Sequence, residues 1–261
     1  MTSFRTVLLA CGLISVSAGH AMAQDSTATS STISMTSGSA TASSHWNCVV
    51  EPYLLVPYMT GTSGVHGLTS DVDANAGDIL GALDFGAMLY FEAQSPRWAF
   101  SLDGTYMDLG AGGTTRLGDV DVDLKQSGVM VTGYARVKPW AEGTVGFQFN
   151  SIKGSLKGSG SLGVDLSTDQ SWTDPYLGVR LAMPHSDKWQ FGFFGAVGGF
   201  GVGSDFAWQA FPQVGYRFNP LFELSGGFRT LYMDYQNGSG NDEFTYKLTT
   251  YGPQVGGKFH F

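Results

Sequence analysis

The chain has 261 residues, 43% hydrophobic, 13% aromatic and 14% charged, with 37 glycines. Low charge with many glycines and aromatics fits numerous short strands and turns, and excludes a helical enzyme or a disordered chain. A formal net charge of −8 argues against nucleic-acid binding, which needs a basic surface.

Residues 1–23 have the form of a secretory signal peptide. Arg5 is the only charge, Val7–Val16 is an apolar run, and Ala21-Met22-Ala23 before Gln24 matches an A-x-A cleavage site. Leu8-Leu9-Ala10-Cys11 offers a rival lipoprotein reading, but the apolar run ahead of Cys11 is shorter than the usual ~7–15 residues. Cleavage after Ala23 leaves Cys48 alone, so the fold must stand without an internal disulfide. Residues 24–45 are Ser/Thr-rich with little to bury, and are expected to form a disordered linker.

The remainder, 46–261, is expected to form one domain of ten strands, with eight or twelve as alternative counts. They fall at approximately 47–59, 82–94, 98–109, 121–137, 142–153, 171–183, 189–200, 206–218, 222–236 and 243–261. The hairpin over Trp189–Phe218 shows the pattern best. The 16 uncharged residues between Lys188 and Asp205 are too few for a spanning helix and include six glycines. Taken at period two, Trp189, Phe191, Phe193 and Val197 share one face, while Gln190, Gly192, Ala196 and Gly198 share the other. The connections alternate as well. Ser95–Arg97, Lys138–Trp140, Pro184–Lys188 and Asn219–Leu221 are short and hold proline. Thr60–Gly81, Gly110–Val120, Gly154–Gln170, Gly201–Asp205 and Gln236–Asp242 are mostly longer and acidic. Short periplasmic turns with longer outer loops are the rule for outer-membrane barrels. Aromatic residues at both ends of the apolar faces, such as Trp98 with Tyr106 and Phe222 with Tyr232, fit an interfacial girdle.

The last strand carries Tyr251, Val255, Phe259 and a terminal Phe261 at alternating positions, with Gly257 in place of a bulkier residue. In this, and in its leader, the chain resembles small outer-membrane β-barrel proteins of Gram-negative bacteria. Gly198-Gly-Phe-Gly-Val-Gly-Ser204 followed by Trp208-Gln209 looks like the signature of a poorly characterised proteobacterial barrel family. The resemblance implies an all-β, transmembrane antiparallel up-and-down barrel in the outer membrane, surrounded by lipid and lipopolysaccharide. It also implies that the terminal strand is read by the barrel-assembly machinery.

Projecting the dyad inward gives a lumen lined by Asp84, Glu92, Asp103 and Glu223 against Arg136, Arg180, Arg217, Arg229 and Lys258. Such charges inside a lipid-embedded wall need partners, so a salt-bridge network filling a narrow barrel and a selectivity lining for a small pore are the two readings. Asp119-Val-Asp121-Val-Asp123 puts three carboxylates on one face of an extended segment and is a weak metal candidate. It lacks the glycine and distal glutamate of an EF-hand loop. Asp78–Leu83 could make one helical turn at the barrel mouth. No cofactor or catalytic residue is expected. His66, with Ser70 and Asp71 near it, is the one outer-side candidate for an enzyme. The expected role is structural or surface-interacting through acidic loops, with a narrow channel and an enzyme as alternatives.

Overall fold

The computed structural model describes residues 46–65, 67–115, 118–159 and 164–261. The stretches expected to be a signal peptide, 1–23, and a linker, 24–45, lie outside the described residues, as does His66. The chain runs β1 (Asn47–Leu55), β2 (Tyr58–Val65), β3 (Leu68–Ala74), α1 (Ala76–Gly81), β4 (Leu83–Gln94), β5 (Trp98–Thr115), β6 (Gly118–Lys138), β7 (Ala141–Gly158), β8 (Val164–Pro184), β9 (Trp189–Gly199), β10 (Phe206–Arg217), β11 (Phe222–Asn237) and β12 (Phe244–His260). β1 pairs with β4, consecutive strands from β4 to β12 pair antiparallel, and β12 pairs back onto β1. The result is a closed ten-strand barrel, β1 plus β4–β12, with the β2–β3 hairpin added at one rim. β2 continues the line of β1 along β12 after a break at Val56-Pro57.

Residues expected in long loops are instead paired. Thr60–Gly81 supplies β2, β3 and α1, and Gly110–Val120 and Gly154–Gln170 mostly extend β5, β6, β7 and β8. The reason is visible in Asp119–Asp123, where period-two alternation persists past the membrane. Val122 is buried while all three aspartates are exposed on the outer face of β6, Asp121 standing opposite Lys157. The three aspartates therefore belong to a strand, and among the described residues no group of three metal-ligating side chains gathers. α1 is set by a capping box: Asn75 accepts from the Asp78 N–H at 3.1 Å, and Asp78 accepts from the Asn75 N–H at 3.3 Å. The helix turns Ile79 into the barrel.

The outer face of the wall is apolar over a band. Leu89, Phe100, Val131, Phe147, Val179 and Val255 are between 42% and 56% exposed. Contiguous exposure on this scale is foreign to a monomeric soluble protein and suits lipid contact. The band ends at a charged row across β5–β8, where Lys125 pairs with Asp108 at 3.0 Å and Lys153 with Asp169 at 2.9 Å. From Val129 to Val137, β6 crosses the band in about the ~9–11 residues that a membrane strand needs.

β9 and β10 are short, and their turn is tightly built. Gly199, Phe200 and Gly201 all have positive φ, at 86°, 52° and 73°. The buried Asp174 carboxylate ties this turn to β8, accepting from the Ser204 N–H at 2.6 Å and the Ser204 hydroxyl at 2.8 Å. A Cβ at Gly199 would sit 2.5 Å from the Ser204 carbonyl oxygen. Gly199→Ala adds that clash to a left-handed backbone that costs ~1–2 kcal/mol for an L-residue, so it should lower the midpoint of urea unfolding in lipid vesicles.

Candidate functional site

The interior is layered along the barrel axis. At the end with the long strands, fourteen of the described residues pack into one buried cluster, an apolar plug that includes Ile79, Ile152, Trp172, Tyr235, Phe244 and Tyr246. Trp172 stacks on Tyr235 with ring centroids 4.2 Å apart. Below lies a second apolar layer of Met130, Tyr134, Tyr176 and Phe194. At the short-turn end, beside Pro139, Trp140, Pro220 and Phe261, a cavity of about 660 Å³ opens. None of the fourteen plug residues lines it.

Five carboxylates (Glu51, Glu92, Asp103, Glu142, Glu223) and five basic side chains (Arg136, Arg180, Arg217, Arg229, Lys258) line this cavity. Register explains their order. Arg217, Glu223 and Lys258 are Cα partners across β10, β11 and β12, and Arg136, Glu142 and Arg180 are partners across β6, β7 and β8. Opposite charges directly across antiparallel strands attract one another.

Three ion clusters result. Arg180 binds Glu92 at 2.7 Å and Glu142 at 2.5 Å, and its guanidinium lies 3.8 Å over the Tyr134 ring. Tyr90 also donates to Glu92, and Arg136 holds the other Glu142 oxygen at 3.0 Å. Deeper, Arg229 reaches Asp103 at 2.7 Å and donates to the Tyr53 hydroxyl at 3.1 Å, while Tyr53 donates to Asp103 at 2.6 Å. Near the mouth, Glu223 meets Arg217 at 3.0 Å, His260 at 3.5 Å and Lys258 at 3.8 Å. Buried pairs of this kind need such extra hydrogen bonds to offset desolvation.

Asp84 stands apart. Leu83 partners Leu109 and Phe85 partners Asp108, so Asp84 is the extra residue of a bulge. Its side chain is exposed beside Gly110, and Leu83 turns inward against the plug instead. Conversely, Glu51, Glu142, Tyr53 and Tyr90 complete the clusters without having been singled out. Alternation through Val49-Val-Glu51-Pro-Tyr53 and from Glu142 onward carries the signal for three of them. Tyr251, Val255, Phe259 and Phe261 lie along the last strand and its end, Val255 and Phe259 facing the apolar band. Cys48 is a half-buried free thiol in β1.

No protein-family model matches the chain, and no curated protein matches its sequence significantly. Among solved structures it is similar to the translocator domain of autotransporter NalP from Neisseria meningitidis, at 13% identity over 85% of this chain and 90% of that one, with a TM-score of 0.42. It is similar to the outer membrane protease OmpT from Escherichia coli, at 12% identity over 86% of this chain and 99% of that one, with a TM-score of 0.48. It is also similar to Ail, the attachment invasion locus protein of Yersinia pestis, at 13% identity over 83% and 98%, with a TM-score of 0.34. These neighbours are barrels of Gram-negative outer membranes.

Proposed function

We propose that this protein is a non-conducting, non-enzymatic barrel of the outer membrane that acts through its outer surface. The short turns would face the periplasm and the extended β5–β8 rim the exterior. The apolar plug carries this reading. A pore lined by the inward arginines would need a water path past fourteen buried side chains that crowd the outer half of the lumen. The exposed aspartates 119, 121 and 123 give the rim its acidic outer face. His185, in a short turn, is exposed, and His260 sits beside Glu223 at 3.5 Å. The terminal residues Phe259 and Phe261 fit an assembly signal, and lipid or lipopolysaccharide fits the exposed band.

Planar-bilayer recording of the refolded chain should give no steady conductance. A reproducible open level would replace this reading with that of a channel.

A further inference from the structure

We propose that the cavity at the short-turn end is a binding site for a small, uncharged, polyhydroxylated solute, a mono- or disaccharide. At about 660 Å³ it falls within the range of small-molecule pockets, ~300–1,000 Å³. Its lining includes Met130, Tyr134 and Phe194 of the second layer and none of the plug, so a solute that enters from the short-turn side would leave by the same mouth.

The charge balance selects against ions. Five lining carboxylates face five basic side chains, and the clusters above hold nearly all of them to one another. A charged ligand would lose hydration and meet wall charges most of which already hold one another, Glu51 excepted. What the wall still offers is unused hydrogen-bonding capacity of both kinds. Gln254 and Glu92 are more than nine-tenths buried, and each keeps one Oε1 atom without a partner among the described residues. Glu51, equally buried, has the Ser225 hydroxyl as its partner and no cation within ion-pair distance among the described residues. On the donor side, Arg217 Nε has no acceptor among the described residues. Gln213 turns its carbonyl to Lys258 Nζ at 3.0 Å, which leaves its amide N–H groups for the cavity.

Residues that keep an unpaired acceptor or donor thus border one small volume, and a group that donates and accepts through the same atom, a hydroxyl, matches both kinds. Buried acceptors left unpaired are costly, so a ligand that supplies their protons gains that energy back on binding. Phe194 and Phe211 line the same space and give apolar surface for the C–H faces of a sugar ring. Together these features are a few placed polar groups on an apolar, concave wall.

The site can be tested without reference to conductance. The full refolded chain is titrated calorimetrically with maltose, trehalose and N,N′-diacetylchitobiose, and separately with inorganic phosphate and putrescine. Saturable one-to-one binding of at least one sugar is expected, weakened at least tenfold by Gln254→Leu. Retention of the heat-dependent gel shift shows that the variant is folded. Should Gln254→Leu fail to fold, Gln213→Ala nearer the mouth should weaken the same sugar at least threefold. Absence of heat with all three sugars, tighter binding of phosphate or putrescine, or unchanged affinity in the folded variant would each overturn the proposal. A silent bilayer trace with no sugar binding would leave the non-conducting reading intact while removing this one.

Discussion

Arg180→Met should destabilise the barrel by about 3–5 kcal/mol, the loss typical of removing one partner from a buried ion cluster. Arg180 is 16% exposed at its side chain and holds two carboxylates at once, Glu92 at 2.7 Å and Glu142 at 2.5 Å. Methionine keeps much of the stem but leaves Glu92 with the Tyr90 hydroxyl alone and Glu142 with the more exposed Arg136. The cost comes from the carboxylates left behind, and the control follows from that. Adding Glu92→Gln and Glu142→Gln to Arg180→Met should recover most of the loss, because the charges that suffered are gone. Urea unfolding in lipid vesicles reads both effects. If the single variant unfolds at the wild-type midpoint, the cluster is not a determinant of stability. If the triple variant is as weak as the single one, the loss arises from packing of the guanidinium on Tyr134 and not from stranded charge.

The wall was legible because lipid imposes a rule with no exceptions at mid-membrane. Each strand had to alternate, and Trp189, Phe191 and Val197 do face outward as the period requires. Two things were hidden. The bulge at Asp84 breaks the period by one residue, and nothing in Leu83-Asp84-Phe85 announces it. The decision rests on Leu83 finding a place in the plug. The plug itself was hidden for a related reason. Its members come from the β2–β3 hairpin, from α1 and from most of the wall strands, and each looks locally like an ordinary strand or loop residue. Only closure of the barrel brings Ile79, Ile152 and Phe244 into one cluster. The acidic segments looked like loops because charge suggests solvent. Charge on one face is equally compatible with a strand whose other face is buried, as Val122 shows between Asp121 and Asp123.

Trp172→Ala should be the most damaging single change in the outer half, with an expected loss of about 3–5 kcal/mol, the usual range for deleting a buried tryptophan side chain. Trp172 stacks on Tyr235 at 4.2 Å, meets Tyr246 at 5.7 Å, and donates from its indole N–H to Asp174 at 3.0 Å. Truncation leaves a cavity in the plug. It also removes one of the donors that keep a buried carboxylate satisfied, the others being Asn150 and Ser204. Trp172→Phe separates the two contributions, since it refills most of the volume but returns no donor to Asp174, and it should lose about 1–3 kcal/mol, the cost of a buried group deprived of a partner. The two halves of the lumen also act in series. Opening the plug by Trp172→Ala with Tyr246→Ala, and the second layer by Tyr176→Ala, should produce steady conductance in a planar bilayer. Arg180→Ala and Arg229→Ala should stay silent, because their ion clusters lie below the block. Conductance from the arginine variants, with silence from the plug variant, would put the barrier at the charged layer instead.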